Sequence, residues 1–353
     1  MVAPASGLGH RASGIRDSVR SVLHAQREEW ADEEAFLEDA FERGWTDGLP
    51  VVPPTPEKVE AFLATVGLAP EEVLGAVPTR EVTVTAEHAA INAVMAGCRP
   101  EYFPVVVAAV RAHLDEHGNC HSTTGTLSGA AQAIIVNGPI RHELGIASAG
   151  ACLGPGFRAN ATIGRALRLV IRNVCRSVPG FLDRATFSWP LRYSFCFGEN
   201  EEASDWTPLH VQRGFAPDES TATVASVMRM VSAWDSTSRT PEGVLDSIVA
   251  TTRHFGFQGD EFLGDQISFV YIMGKEHHRF FIEEHWSKEQ MQEYMWPRLT
   301  APTSGAHDRY TNIQHPENVL IVAAGGAGMA ETWILCPHLA WAITKPVERV
   351  TTP

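Results

Sequence analysis

The chain has 353 residues and a mass of 38.5 kDa, and 44% of its residues are hydrophobic. This composition supports a sizeable core and excludes a wholly disordered chain. The 28 lysine and arginine residues are outnumbered by 42 aspartate and glutamate residues, which gives a net charge of −14. Because a duplex-binding surface needs a basic field, this charge argues against nucleic acid as a partner.

Cysteine usage and hydropathy indicate the compartment. The six cysteines include no CxxC pair and show no regular spacing, which argues against a disulfide framework or a zinc ribbon. No apolar run approaches the roughly 18 residues of a membrane-spanning helix, and the N-terminus lacks the apolar core of a signal peptide. We therefore predict an acidic, soluble, cytoplasmic protein with no membrane partner.

Helical periodicity and turn residues predict the secondary structure in chain order. Residues 1–43 are expected to form a mobile arm and a strongly charged helix, which runs from Ile15 to Arg43 and ends at Gly44. Helices with one apolar face are predicted further on, at 55–66, 86–95, 100–114, 158–176, 241–254 and 287–296. Short apolar strands are predicted at 82–85, 131–137, 193–197, 220–227, 267–273 and 319–324.

This alternation predicts an α/β fold, with a mixed sheet or sheets, helices packed around, and a helical N-terminal arm. We expect residues 44–353 to form a single interwoven α/β domain, with any sub-boundary near 199–219. The sequence shows no internal repeat.

Two glycine-rich turns are candidate substrate-binding elements. In GPGFRAN (154–160), Gly154 and Gly156 precede a helix whose free N–H groups, with Arg158 and Asn160, suit an anion. The alternative is a tight turn before a capped helix, which needs the same glycines.

The second glycine-rich turn is VAAGGAGM (322–329). Gly325 and Gly326 follow an apolar strand, where open α/β sheets usually bind ligands. Neither turn matches a Walker loop or a dinucleotide fingerprint, so the sequence predicts no nucleotide and leaves the cofactor unknown. An ordinary turn is the alternative here as well.

The acidic segment ENEE (199–202) and His210 are candidates for proton transfer. Glu199 and Glu201 directly follow an apolar strand, and carboxylates beside an imidazole can act as general acid and base or hold a hard metal. The alternative is a solvated charged face. Asn137 ends another strand and is a further candidate for substrate binding.

Cys120 and His121 are the remaining catalytic candidates, in NCHSTTGT (119–126). A cysteine beside a histidine suggests a nucleophile, but sequence neighbours rarely face each other, so a polar loop is the alternative. The histidines of EHHRFFIEEH (276–285) lack the spacing of a metal-binding helix. A metal therefore stays possible without being indicated, and no metal ligand is assigned.

Several stretches together resemble one bacterial family, whose members are encoded beside small UGSC-motif proteins. In those small proteins selenocysteine or cysteine precedes Gly-Ser-Cys. The similar stretches are 44–55, 92–110, 136–140, 154–174, 199–215 and 322–326. The family's shared polar positions map onto Asp47, Asn92, Arg99, Asn137, Arg158, Asn160, Glu199, Asn200, Glu201 and His210.

The resemblance implies a subunit in thiol or selenol redox chemistry. Because this chain has neither Cys-Gly-Ser-Cys nor CxxC, the redox centre would be supplied by a small cysteine- or selenocysteine-containing partner protein. The sequence departs from the family after Gly326 and around 119–126. If those segments carry chemistry, this chain would act on a different substrate or without the partner, and Cys120, His121 and Cys336 would be the groups that distinguish it.

The resulting hypothesis is an oligomeric enzyme or enzyme subunit with a biosynthetic role, acting on a small polar or anionic metabolite. Arg158 would hold an anionic group, and Glu199, Glu201 or His210 would move protons. The chemistry would be that of a reductase or a lyase acting on C–S or C–N bonds. The alternatives are a metal-dependent lyase or hydrolase, and a non-catalytic subunit that binds substrate or scaffolds a partner.

Overall fold

The computed structural model of the protein describes residues 23–255, 267–302 and 313–350. Its helices are α1 (Glu33–Glu42), α2 (Pro56–Val66), α3 (Ala86–Met95), α4 (Phe103–His113), α5 (Cys120–Thr124), α6 (Ile140–Leu144), α7 (Arg158–Asn173), α8 (Leu209–Gln212), α9 (Pro241–Phe255), α10 (Lys275–Glu283) and α11 (Lys288–Thr300). Its strands are β1 (Val73–Val77), β2 (Val82–Thr85), β3 (Ala131–Asn137), β4 (Cys196–Gly198), β5 (Thr221–Trp234), β6 (Phe269–Met273), β7 (Val319–Ala323), β8 (Glu331–Pro337) and β9 (Ile343–Pro346). The predicted α/β class with a mixed sheet is confirmed.

One large sheet organises the described residues. Its strand order is β4-β3-β5-β8-β6-β7, and β9 pairs with the first part of β5. The β3–β4 and β6–β7 pairs are parallel, whereas β5 is antiparallel to both β3 and β8. The β1–β2 hairpin lies outside this sheet.

The sheet is built from two topological repeats. In the first, β3 is followed by α6, α7, the parallel strand β4 and the antiparallel strand β5. In the second, β6 is followed by α10, α11, the parallel strand β7 and the antiparallel strand β8. The two repeats meet where β5 pairs with β8. The repeat that the sequence does not show is therefore present in the connectivity.

The curled sheet encloses one core and covers two others. Side chains from β3 to β8 meet on the inner face, as Ile135, Phe197, Val270, Val322 and Leu335 do. On the outer face, the first repeat packs against α2, α3, α4 and α7, and the second packs against α9, α10 and α11. Burial on both faces explains why the sheet strands read as continuous apolar runs.

The N-terminal helix is shorter than predicted. Helix α1 begins only at Glu33, because the Asp32 side chain accepts a hydrogen bond from the Ala35 amide and caps the helix there. Before it, the amides of His24 and Ala25 bond the buried carboxylate of Glu87 instead of forming a helix. The rest of the predicted arm and helix, residues 1–22, lies outside the described residues.

Other boundaries differ modestly. The helix predicted at 158–176 ends at Asn173, and the strand predicted at 220–227 continues to Trp234. Strands β1, β8 and β9 were not predicted. No helix in the described part of the chain is long and apolar enough to cross a membrane.

Candidate functional site

Three segments that carry predicted site residues converge at one end of the curled sheet. The amide of Asn200, just beyond β4, donates to the carbonyl of Ala323 at the end of β7 over 2.7 Å. The amide of Gly325 donates over 2.9 Å to the carbonyl of Ser148, in the loop that leads to α7. The ENEE segment, the glycine turn after β7 and the loop before GPGFRAN are thereby joined.

A buried ion pair between Glu199 and Lys288 lies at the centre of this region. Lys288 is the first residue of α11 and is only 1% exposed, and its ammonium lies 2.7 Å from Oε1 of Glu199. Oε2 of Glu199 accepts hydrogen bonds from Nδ2 of Asn137 at 2.6 Å and from the Leu209 amide at 2.8 Å. These bonds offset the cost of burying both charges. Because Glu199 follows β4 and Lys288 begins α11, the pair also links the first repeat to the second.

Two further carboxylates surround the buried guanidinium of Arg141. Glu201 lies 3.0 Å from Arg141 and accepts bonds from Nδ2 of Asn137 and from the Gly138 amide, both at 2.9 Å. Glu202 bonds Arg141 at 2.8 Å and His142 at 2.7 Å. Hydrogen bonds from Arg141 and His142 lower the pKa of Glu202 to about 2.

His210 has no polar partner although it is fully buried. It is 0% exposed, and neither ring nitrogen makes a hydrogen bond within the described structure. Its Nδ1 lies 3.9 Å from Oε1 of Glu201, too far for a hydrogen bond. Oδ1 of the buried Asn137 is likewise unpaired. Because buried polar groups are almost always satisfied, these atoms are available to a ligand.

Together, Asn137, Arg141, Glu199, Glu201, Glu202, His210 and Lys288 form what we call the carboxylate cluster. Its three carboxylates outnumber its two permanent cations, Arg141 and Lys288, so the cluster carries an excess of negative charge apart from any charge on His210. Glu202 is the outermost member, with 54% of its side chain exposed, and Glu201 follows with 13%. Access to His210 from solvent would therefore pass the ENEE segment.

The glycine turn after β7 lies against the loop before α7. A Cβ on Gly326 would approach the Cα of Gly150 to 2.9 Å, so only glycine lets these two loops touch. Gly325 has a φ of +91°, which also favours glycine. Gly154 and Gly156 lie in the exposed part of the loop before α7. Close approach of the two turns thus accounts for part of the glycine pattern.

Arg158 and Asn160 form hydrogen bonds with backbone groups of the protein. The Arg158 guanidinium donates to the carbonyl of Gly97 at 3.0 Å. The Asn160 amide bonds both the N–H and the C=O of Ala147, and also the carbonyl of Cys152. Both side chains position the loops around the site in this structure, and their predicted ligand-binding role stays a prediction.

Cys120 and His121 lie apart from the carboxylate cluster, and their side chains have different neighbours. His121 is exposed and its Nδ1 lies 2.7 Å from Oγ1 of Thr79. Cys120 is 5% exposed and lies beside Cys175, His113 and Arg80. The structure therefore does not place His121 as a partner of the Cys120 sulfur, because neighbouring residues of a helix point in different directions.

The histidines of α10 also have structural partners. Nδ1 of His277 lies 2.9 Å from the Thr332 hydroxyl, and Nε2 of His278 lies 2.8 Å from the Ser204 hydroxyl. Burial lowers the pKa of His278 to about 4, and the nearby Lys288 charge acts in the same direction. Among the residues that the structure describes, no group of three or more His, Cys, Asp or Glu side chains is arranged to hold a metal ion.

A cavity of about 850 Å³ lies elsewhere, between the N-terminal segment, α3 and the end of α7. Its walls include Trp30, Phe36 and Trp45. Its buried amides are already paired, since Nδ2 of Asn173 bonds Oδ1 of Asn92 at 2.8 Å. The cavity suits an apolar group, and the unpaired polar atoms of the carboxylate cluster make that cluster the better site for chemistry on a polar molecule.

The basic members of the carboxylate cluster could not be predicted from the sequence. Lys288 and Arg141 are single basic residues at helix starts, a position in which such residues are usually exposed. Lys288 reaches Glu199 across 89 residues of sequence, and Arg141 reaches Glu202 across 61. No local signal marks such long-range pairs.

Comparison of the chain with protein-family models, with curated proteins and with solved structures finds no match. The family resemblance drawn from the sequence therefore stays a prediction.

Proposed function

We propose that the chain is an enzyme, or an enzyme subunit, that transfers protons on a small polar metabolite at the carboxylate cluster. The observation that carries this proposal is His210, which is fully buried, has both ring nitrogens unpaired and lies 3.9 Å from Glu201. A buried imidazole without hydrogen bonds is unfavourable for folding, so its presence beside a carboxylate supports a functional role.

The geometry supports a division of labour. His210 and Glu201 are close enough to pass a proton through a bound substrate or one water molecule. Lys288 supplies a fixed positive charge that can stabilise an oxyanion, and Asn137 offers a free carbonyl oxygen to a donor group of the substrate. Because the cluster has excess negative charge, a neutral or cationic group fits beside His210 better than an anionic one. An anionic group would have to bind towards the glycine turns.

The test is proton exchange with solvent. The purified protein is incubated with a small-molecule cell extract in D₂O, and mass spectrometry follows metabolites that change mass or abundance. We expect at least one metabolite to change with the wild-type chain, and the H210N and E201Q variants to lose this effect at least a hundredfold, as removal of an acid–base group does.

The matched control is H142N, which removes a histidine that also touches the cluster but is exposed. This variant should keep the exchange. Retention of full exchange by both H210N and E201Q, or no change in any metabolite with the wild-type chain, would overturn the proposal.

A second candidate is a subunit that docks a small cysteine- or selenocysteine-containing protein, as the resemblance implies. The observation that favours it is an apolar surface: Leu127 is 70% exposed, Phe181 62% and Phe187 93%. The Thr186 amide bonds the Leu127 carbonyl, which brings the segment that carries Phe187 next to Leu127. Co-expression with a Cys-Gly-Ser-Cys protein should give a complex that a Phe187→Ser variant weakens. Full turnover by this chain alone would remove this candidate.

A further inference from the structure

A second buried polar cluster lies at the other end of α7. We call Arg80, His113, Cys120, Arg168 and Cys175 the cysteine cluster. Cys120 is the first residue of α5 and Cys175 follows the end of α7, and their exposures are 5% and 0%. Arg80 holds the two segments together: it donates to the carbonyl of Cys175 at 2.7 Å and to the Thr124 hydroxyl at 2.9 Å. That hydroxyl lies 3.8 Å from Sγ of Cys120.

The cysteine cluster has more positive than negative groups. Arg80 and Arg168 are each 8% exposed. The bonds of Arg80 described above go to a carbonyl and a hydroxyl, and Arg168 bonds the Gln132 side chain and the Arg192 carbonyl. None of these bonds involves a carboxylate. The neighbouring carboxylate of Asp183 pairs with Arg192 at 2.6 Å. Asp183 also acts electrostatically on Arg168, but one carboxylate does not balance the three arginines, so a further anionic group would stabilise this region.

Cys120 is the residue that can supply that negative charge. A hydrogen bond from the Cys175 thiol lowers the pKa of Cys120, and the charges of His113 and Arg80 add to this effect against the opposing effect of burial. The same hydrogen bond, together with burial, raises the pKa of Cys175. Both ring nitrogens of His113 are otherwise unpaired and the residue is 1% exposed. One sulfur is thus favoured as the thiolate and the other as the thiol.

The remaining cysteines differ from this pair. Burial raises the pKa of Cys98 and of Cys336 to about 12, and it also raises the pKa of Cys152 and Cys196. These four thiols are expected to be inert, which makes them controls within the same molecule.

We propose that Cys120 and Cys175 form a redox-active dithiol, in which Cys120 attacks a small hydroperoxide and Cys175 resolves the product. The Cys120 thiolate attacks one peroxide oxygen, the O–O bond breaks, and a sulfenic acid and hydroxide form. The Cys175 thiol then attacks the sulfenic sulfur, a disulfide forms and water leaves. Two sulfurs are oxidised and the peroxide is reduced. The slight exposure of Cys120 restricts the oxidant to a small molecule such as hydrogen peroxide.

The experiment is thiol trapping on the full chain. The protein is treated with one equivalent of hydrogen peroxide, free thiols are alkylated, and peptides are mapped without reduction. We expect a Cys120–Cys175 cross-link that forms at least tenfold faster than Cys98 or Cys336 is oxidised in the same sample. In C175S, dimedone should label Cys120, and in C120S the remaining Cys175 should stay reduced.

The internal comparison keeps the test decisive even if a variant fails to fold. Oxidation of Cys120 at the same rate as Cys98 and Cys336 in the wild-type chain would overturn the proposal, and so would a cross-link between other cysteines. The H210N variant should form the Cys120–Cys175 disulfide at the wild-type rate. A failure of the proton-transfer proposal can therefore be told apart from a failure of this one.

Discussion

The carboxylate cluster and the cysteine cluster lie at opposite ends of the same strand, β3. The first is built around Asn137 at the end of β3, and the second lies beside Gln132 near its start, through the bond that Arg168 makes. Among the residues that the structure describes, nearly every charge of the carboxylate cluster has an opposite partner, and the ring nitrogens of His210 and Oδ1 of Asn137 are its buried atoms without a hydrogen bond. In the cysteine cluster the guanidiniums lack carboxylate partners.

The difference indicates which group in each cluster is reactive. Where nearly every charge has an ion-pair partner, the imidazole of His210, which has no hydrogen bond, is the group left for a ligand. Where positive charge is in excess, a weak acid such as a thiol becomes the anion. The two clusters therefore predict acid–base chemistry at one end of β3 and thiol chemistry at the other.

The largest expected change in the free energy of unfolding comes from breaking the buried ion pair. Lys288→Met leaves the Glu199 carboxylate buried without its cation, and we expect it to lower the free energy of unfolding by about 3–5 kcal/mol. Adding Glu199→Gln should recover more than half of this loss, because the uncompensated charge is then gone. Guanidinium unfolding measures both effects. Equal instability of the single and double variants would show that packing, and not charge, explains the loss.

A pH effect of intermediate size is expected from His278. Burial holds its pKa at about 4, below the value of about 6.5 for an unfolded histidine, so the unfolded chain binds more protons between these values. Stability should therefore fall as the pH decreases from 6.5 to 4, by roughly 1–3 kcal/mol for this residue. Unfolding at pH 7 and pH 4.5 tests this, and His278→Gln should reduce the difference.

A smaller effect of opposite sign is expected for His210. Because both ring nitrogens are buried and unpaired, His210→Leu should raise the free energy of unfolding by about 1 kcal/mol. The same variant should lose proton exchange, which is the stability–function trade-off of an active site. Chemical unfolding supplies the stability change and D₂O exchange the activity. A loss of more than about 2 kcal/mol would instead mark His210 as a structural residue.

The fold could be predicted where a strand or helix is marked by apolar residues and end signals in its own sequence. The buried strand 131–137 was predicted with its observed ends, and the Thr85 cap placed the start of α3. Strand β8 is not predicted because Glu331 and Thr332 at its start and Pro337 at its end leave an apolar run of only four residues, 333–336. The repeated topology was also hidden, since α6 has five residues where α10 has nine, and the sequences share no period.

The site was predictable only where its residues adjoin a strand end. Glu199 and Glu201 could be selected because they follow the apolar strand predicted at 193–197, and the structure brings both into the carboxylate cluster. Lys288 and Cys175 could not, because their partners lie far away in sequence. Cys120 was selected for the histidine beside it, whereas in the structure His113, on the preceding helix, is the imidazole near its sulfur.

The smallest expected change in the free energy of unfolding comes from breaking a more exposed lysine ion pair, which serves as a comparison for the buried one. Lys345 lies 2.7 Å from Asp115, the same N–O distance as in the Lys288–Glu199 pair, but the side chains are 34% and 23% exposed. Water solvates both partners when this pair is broken, so Lys345→Met should lower the free energy of unfolding by no more than about 1 kcal/mol. Urea unfolding at low and high salt measures this, and added salt should shrink the effect. If K345M and K288M are equally unstable, burial does not distinguish the Lys288–Glu199 pair from an exposed ion pair. The contrast between the two clusters, which depends on buried ion pairs, would then be wrong.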